Sequence, residues 1–263
     1  MNEAERACPE HLVALAHRMA DASGEVIAGY YRAPIEIATK DDASPVTAAD
    51  REAEVAIREI IEGAHPDHGI IGEEFGSAGE DRELVWVLDP IDGTRSFVVG
   101  KPLFGTLIAL LRGGVPILGI IDQPITGERW VGVVGRPTTL NGEPVRTRAC
   151  PDLGGAALFT TGPERYQGGE AAAFERLREA VGMTQYSADC YATALLATGC
   201  VDLVIESGLK VYDYLALAPV VLGAGGLISE WGGGPLGLES DGTLLAAGDP
   251  KAYAAARALL AGA

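Results

Sequence analysis

Positive charge is scarce in this chain: 20 Lys and Arg stand against 37 Asp and Glu over 263 residues, a formal net charge of -17. A surface this acidic repels a phosphate backbone, whose binding depends on Lys and Arg displacing counterions, so nucleic acid is excluded as a partner. A small anion remains admissible where bound metal supplies local positive charge. Cysteine is scarce too, and Cys8, Cys150, Cys190 and Cys200 form no C-x-x-C pair. That excludes a small disulfide scaffold and reads as reduced cytosolic thiols. The four histidines, His11, His17, His65 and His68, all lie in the first part of the chain, which excludes a triad drawing its base from the C-terminal half. No lysine stands between a glycine and a Ser or Thr, which removes the Walker A loop. Long apolar runs are missing as well: the stretch 214–228 is interrupted by Pro219 and several glycines and falls short of the ~20 residues of a membrane span. Residues 1–10 are polar and acidic rather than basic and then apolar, so no secretory signal is visible. The expectation is a cytoplasmic protein with no membrane partner.

Apolar residues make up 48% of the chain, enough for one large domain or two small ones sharing a core. Leu12, Leu15, Ala16, Met19, Val26, Ile27 and Tyr30 recur at helical spacing and predict an opening amphipathic helix that stops by Pro34. Thr47 and Asp50 form a T-x-x-D start signal for a second helix that Gly63 closes. From Gly69 the period changes to short β-branched runs at 70–71, 84–88, 105–111, 115–121 and 129–134, separated by turn signals such as Gly113-Gly114 and Asn141-Gly142. After about residue 150 strands and helices alternate: strands at 156–160, 201–206 and 243–247, helices at 170–181, 189–198, 212–222 and 250–260. Gly223-Ala224-Gly225-Gly226 reads as a helix end, because Ile228 stands where a dinucleotide fingerprint wants its last glycine. The pattern divides the chain into an α+β half, 1–145, and an α/β half, 146–263.

The segment that carries chemistry is Trp86-Val87-Leu88-Asp89-Pro90-Ile91-Asp92-Gly93-Thr94, a buried-type strand running straight into two carboxylates. Carboxylates at the end of an apolar strand are costly to desolvate unless something binds them. Mg²⁺ is a sufficient reason, since it takes oxygen ligands and completes its shell with water and phosphate oxygens. Pro90 stiffens the turn, so that Asp89, the Ile91 carbonyl and Asp92 can face one point. Gly93 and Thr94 then open a helical turn whose free N–H groups suit a phosphate. Upstream, Gly72-Glu73-Glu74 supplies more acid; downstream, Asp213 starts a helix after Tyr212. Carboxylates from three separate segments are what a two-metal phosphate site requires.

Taken singly, each residue has a second account. Asp89 and Asp92 suit a turn and a helix N-cap, Asp50 a capping box with Thr47, Glu73 and Glu74 a solvated loop, and Asp213 another cap. His65 and His68 read as surface residues of a turn rather than zinc ligands, and Trp86 and Trp130 as packing residues.

In this combination the residues resemble the inositol monophosphatase-like superfamily of metal-dependent phosphatases. The resemblance rests on Trp86 to Phe97, on Tyr212-Asp213-Tyr214-Leu215-Ala216-Leu217-Ala218 with Gly223-Ala224-Gly225-Gly226 beyond, and on Gly72-Glu73-Glu74 and Val46-Thr47-Ala48-Ala49-Asp50 in the family's order. It covers roughly residues 10–250. It implies a five-layered α-β-α-β-α sandwich, a homodimer, and hydrolysis of a phosphate monoester with two to three Mg²⁺ ions, Mn²⁺ being a substitute. By position, Glu73, Asp89 and the Ile91 carbonyl match the ligands of one ion, Asp89, Asp92 and Asp213 those of a second, and Glu73 is shared with a third. Thr94, backed by Asp50, matches the residue that orients the attacking water. The Gly93 and Thr94 N–H groups match the phosphate cradle, and Lys40 and Glu74 fall in the outer shell.

Within the superfamily the chain looks most like the histidinol-phosphate phosphatase branch, which acts in histidine biosynthesis. The residues behind this are Ile121 to Trp130, Ser187-Ala188-Asp189-Cys190-Tyr191-Ala192 and Gly208-Leu209-Lys210; where the branch usually carries Gly before the aspartate, this chain has Ala188. Histidinol phosphate bears an ammonium and an imidazole, so its far end prefers acidic or accepting groups, and Asp189 and Glu206 are the candidates. The alternatives are an inositol-1-phosphate or broad sugar-phosphate phosphatase on the same scaffold, or a non-catalytic paralogue, whose mark would be a missing ligand or a missing Thr94.

Overall fold

A computed structural model describes residues 7–34, 37–39 and 45–261. Helix α1 (Glu10–Tyr30), the strands β1 (Ile37–Thr39) and β2 (Pro45–Thr47), and helix α2 (Ala48–Ala64) come first. The start of α2 is where the T-x-x-D signal predicts it: Thr47 and Asp50 close a reciprocal capping box, satisfying N–H groups that a helix start leaves without partners. Next come β3 (Gly69–Gly72), β4 (Gly76–Ala78), β5 (Leu84–Asp92), α3 (Thr94–Val98), β6 (Gly105–Arg112), β7 (Val115–Gln123), β8 (Glu128–Val133), β9 (Thr139–Leu140) and β10 (Glu143–Pro144). They form one eight-stranded sheet in the order β10-β9-β8-β7-β6-β5-β3-β4. Its pairs are antiparallel except β3 with β5.

The remaining elements are β11 (Ala157–Thr160), α4 (Gly169–Ala180), β12 (Met183–Tyr186), α5 (Asp189–Ala197), β13 (Leu203–Glu206), α6 (Val211–Tyr214), α7 (Leu217–Gly223), β14 (Leu227–Ser229), β15 (Leu244–Ala247) and α8 (Pro250–Leu260). Five of them make a second sheet, ordered β12-β11-β13-β15-β14. The first sheet thus lies within 69–144 and the second within 157–247.

Alternation along β5 shows how the layers stack. Val85 and Val87 face one way and join Leu107, Ala109, Tyr214, Val220, Val204 and Leu244 in a core between the sheets. Trp86 and Leu88 face the other way, onto Leu12, Leu15, Met19, Ile57 and Ile61 of α1 and α2. With both faces covered, β5 has to be apolar throughout, as its sequence is. The outer face of the second sheet packs Leu203, Ile205 and Leu245 against Phe174, Leu177, Ala256 and Leu260 of α4 and α8. The order of layers is therefore α1/α2, large sheet, α5/α6/α7, small sheet, α4/α8: the five-layered sandwich. The middle helices sit directly on the sheet backbone. A Cβ on Gly119 would stand 2.0 Å from the Ala216 carbonyl oxygen, so only glycine fits there.

Three local expectations differ from the structure. The helix predicted over 212–222 is broken into α6 and α7, with Pro219 inside α7, where it has no N–H to carry a continuous helix through. β12 is an edge strand whose mixed, largely exposed residues Met183-Thr184-Gln185-Tyr186 lack an alternating signal. β14 is only three residues long, below the length at which a strand declares itself.

Candidate active site

The site forms where strand ends and helix starts converge. Glu73 follows β3, Asp89 to Asp92 end β5, Thr161 follows β11 and Glu206 ends β13, while Thr94, Asp189 and Asp213 stand in the first turns of α3, α5 and α6. Together with Ile91, Gly93, Cys190, Arg165 and Lys210 these residues line one cleft of ≈ 180 Å³.

The path of β5 explains why two aspartates three residues apart share a face. In a regular strand residues i and i+3 point to opposite sides. Here Asp89 pairs with Leu107 and Asp92 with Gly105, so β5 spends one more residue than β6 over this stretch. That is a β-bulge, at the point where Pro90 offers no N–H to the ladder. The freed Pro90 carbonyl accepts from the buried Thr106 hydroxyl at 2.8 Å. The bulge returns Asp92 to the side of Asp89, and carboxylate oxygens of Asp89, Asp92 and Asp213 all come within 4.8 Å of one another.

The turn account of these aspartates leaves room for the metal account, because a carboxylate has two oxygens; the N-cap positions themselves go to Gly93 and Lys210. Asp89 Oδ1 accepts the Ile91 N–H at 3.0 Å, Asp92 Oδ2 the Cys190 N–H at 2.6 Å, and Asp213 Oδ2 the Lys210 N–H at 2.7 Å. Each residue fixes a turn or helix start with one oxygen and keeps the other for the common point. Asp50 divides its work likewise: Oδ2 accepts from Thr47 N at 2.8 Å, while Oδ1 lies 3.3 Å from the Thr94 hydroxyl. That hydroxyl also lies 3.0 Å from the Ile91 carbonyl oxygen, so its single proton has two acceptors to choose between.

Burial and crowding shift the titration of the cluster. Burial, then the charges of Glu73, Asp92 and Asp213, push the Asp89 carboxyl well above the usual carboxylate range. Burial, then Asp189 and Asp213, do the same to Asp92, and burial takes Asp213 to about 7. No ion pair among the described residues compensates Asp89, Asp92 or Asp213. A group of crowded oxygen-only donors, Asp89 buried and Asp92 and Asp213 half-buried, with no cationic side chain paired to it among the described residues, fits a hard divalent cation such as Mg²⁺.

At the other end of the cleft, Thr161 joins Asp189 to Glu206. Its hydroxyl lies 3.3 Å from Asp189 Oδ1 and 3.0 Å from Glu206 Oε1, and its N–H donates to Glu206 Oε1 at 2.6 Å. Glu206 Oε2 is buried and has no partner among the described residues. Burial, then the charge of Asp189, raises the Glu206 carboxyl to about 8; Arg165 pulls the other way without restoring it. Asp189 adopts φ 43° and Ser187 φ 63°, conformations that cost a non-glycine residue about 1 kcal/mol or more and cluster at functional sites. Ala188 between them has φ -123° and needs no glycine. Gly93 does: its φ is 90°, and a Cβ would stand 2.9 Å from Asp189 Oδ2.

The remaining expected residues are placed as follows. Glu74 donates its N–H to Glu54 Oε2 at 2.8 Å, and its carboxylate lies 3.9 Å from Arg51 Nε; it is absent from the cleft lining. Lys40 lies outside the described residues. The sequence reading missed Glu54, Thr161 and Arg165. Of these Thr161 alone had a signal, its position just past a strand, like Asp89. Elsewhere, His65, Asp67 and His68 form a second potential metal cluster. There Trp86 Nε1–H donates to His68 Nδ1 at 3.1 Å, so the neutral ring keeps its proton on Nε2 and has no lone pair left for a metal.

A family model for the inositol monophosphatase family matches residues 9–261. The chain is 56% identical over 226 residues to the bifunctional phosphatase IMPL2, chloroplastic, of Arabidopsis thaliana, covering 85% of this chain and 65% of that one, just under two thirds of its length. It is 33% identical over 234 residues to a histidinol-phosphatase of Chlorobaculum parvum, covering 88% and 90%. Among solved structures, an inositol monophosphatase from Zymomonas mobilis matches with a TM-score of 0.89 at 47% identity, covering 95% of this chain and 98% of that one.

Proposed function

This chain belongs to the inositol monophosphatase family, a family of phosphatases, and on that premise we propose that it hydrolyses L-histidinol phosphate to L-histidinol and phosphate with Mg²⁺. The observation that carries the substrate reading is the buried Glu206 Oε2 beside Asp189. Asp189 and Glu206 both approach the one Thr161 hydroxyl, and Glu206 Oε2 has no partner among the described residues, so the far end of the cleft offers acceptor oxygens to an entering donor. An ammonium is such a donor, with three N–H groups and a positive charge. The histidinol-phosphatase of Chlorobaculum parvum among the relatives supports the same reading. The second reading is an inositol phosphate, favoured by the higher identity to the Zymomonas mobilis enzyme.

In this reading Glu73, Asp89 and the Ile91 carbonyl hold one ion, Asp89, Asp92 and Asp213 a second, and Glu73 is shared with a third, Mn²⁺ being a substitute. The ligands of the 1–145 half thereby meet Asp213 of the 146–263 half. When bound, the ions lower the pKa of water and neutralise charge on the phosphate and the departing oxygen. The chain's own groups do the rest. With its proton given to Asp50, the Thr94 oxygen turns its lone pairs to the attacking water, accepts a hydrogen bond from it and orients it. Gly93 and Thr94 present N–H groups to the phosphate, and Asp189 and Glu206 hold the ammonium. No covalent enzyme intermediate is needed. Lys40 and Glu74 lie outside this inner set, and the chain works as a homodimer in the cytoplasm, a placement its four free cysteines support.

The test is phosphate release with Mg²⁺ from L-histidinol phosphate and from myo-inositol 1-phosphate, each repeated with chelator. A chelator-sensitive kcat/KM orders of magnitude higher on histidinol phosphate is expected. Comparable values on the two substrates refute the substrate reading and leave the phosphatase reading standing.

A further inference from the structure

Glu54 is fully buried on α2, one turn after Asp50. Buried carboxylates are rare unless paired, and this one is spent on a single segment of chain. Its Oε2 accepts the Glu74 N–H at 2.8 Å, and its Oε1 accepts the Phe75 N–H at 3.3 Å and Arg58 Nε at 2.7 Å. Arg58 in turn donates through Nη2 to the Gly76 carbonyl. On the near side of Glu73, a Cβ on Gly72 would fall 2.0 Å from Glu54 Oε1, so the end of β3 is packed against the same carboxylate. Every residue flanking Glu73 from Gly72 to Gly76 therefore touches either Glu54 or its partner Arg58. On the sheet side the Glu73 N–H donates to the Leu88 carbonyl at 3.2 Å, while outward Phe75 is 51% exposed and β4 is exposed along its length.

We propose that Glu54 is a positioning residue that aims Glu73 into the metal cleft, and that α2 thereby sets the spacing of the site. One helix carries two buried carboxylates a turn apart. Asp50 fixes the turn after β5 through Thr94, and Glu54 fixes the turn after β3 through the Glu74 and Phe75 N–H groups. A rigid helical turn between them holds the water-orienting residue and the Glu73 carboxylate at a constant separation. Glu54 itself does not line the cleft. Outer groups that orient ligands commonly govern metal affinity by 10–100-fold. This inference rests on the metal reading of the cleft.

The test compares wild type, Glu54→Gln and Arg58→Ala by calorimetric titration of the substrate-free protein with Mg²⁺, by Tm after chelation, and by amide exchange at residues 73–78. An amide in place of the carboxylate loses one acceptor and the partner of Arg58, while Arg58→Ala leaves Glu54 in place without its anchor. The expected result is a 10–100-fold weaker Mg²⁺ Kd in Glu54→Gln, a smaller loss in Arg58→Ala, and faster exchange confined to 73–78, with the chelated Tm lowered by only a few degrees. An unchanged Kd in both variants against clear binding by wild type overturns the role of Glu54 alone. Unfolding of Glu54→Gln together with an unchanged Kd in Arg58→Ala overturns it as well, by making the residue structural. Wild-type protein that takes up no Mg²⁺ overturns the metal reading itself, and the inference with it.

Discussion

Glu206→Gln is expected to stabilise the metal-free protein while abolishing its preference for a cationic substrate. Glu206 is 6% exposed, its Oε1 is held by Thr161, and its Oε2 has no partner among the described residues. Burial first, and Asp189 second, move its carboxyl from 4.5 to about 8. The unfolded chain ionises this group near the lower value and the folded chain near the higher one, so the folded state holds a proton that the unfolded state releases. Stability is therefore full below pH 4.5, falls as pH rises through the window, and levels off above pH 8. At pH 7 most of the window has been crossed, worth ~3 kcal/mol at 1.36 kcal/mol per unit. Glutamine has no such proton. Its carbonyl oxygen keeps the Thr161 contacts and its NH₂ costs about 1 kcal/mol where no acceptor is provided, leaving a net gain of about 2 kcal/mol. Urea unfolding of chelated protein at pH 5, 7 and 9 measures this: the gain should be near zero at pH 5 and largest at pH 9. A variant whose stability differs from wild type by the same amount at all three pH values would refute the reasoning. The same variant should raise KM for histidinol phosphate by at least tenfold.

Asp92→Asn should retain its Tm, since the amide is nearly isosteric and keeps an acceptor for the Cys190 N–H, yet lose activity by 100-fold or more; near-wild-type kcat would contradict its place in the site. Chelation should abolish phosphate release, Mg²⁺ should restore it, and Mg²⁺ should raise the Tm of wild type but not of Asp213→Asn. Gly93→Ala should cost about 2 kcal/mol and at least tenfold in kcat, because its φ is 90° and a Cβ meets Asp189. Gly127→Ala, with φ 71° and open space around it, should cost about 1 kcal/mol by unfolding and leave kcat alone.

What the sequence made legible is local. The run into Asp89-Pro90-Ile91-Asp92 announced a turn with clustered carboxylates, Thr47 and Asp50 announced a capped helix, and Asn141-Gly142 announced the short hairpin of β9 and β10, where both residues take positive φ. What stayed hidden depends on partners distant in the chain. Glu54 looks like any acid on an amphipathic helix, because its partners are backbone N–H groups twenty residues on, which carry no side-chain signature. Thr161 acquires meaning only when β11 lies beside β13 and brings it to Glu206. The two accounts of each aspartate could not be separated in sequence for a plainer reason: they do not compete, since the backbone N–H takes one oxygen and leaves the other.

The bulge in β5 makes the site an arithmetic property of the chain as much as a chemical one. Asp89 and Asp92 share a face because β5 carries one residue more between them than β6 carries between their partners. Closing the ladder regularly over the same residues, with three-residue spacing kept and no bulge, would leave every acidic side chain present and the layers intact, and turn one carboxylate away from the cleft. A relative with all its acidic residues and no bulge would then fold, bind metal poorly and turn over slowly. Register, read alongside residue identity, separates enzymes on this scaffold from proteins that have kept the fold for another use.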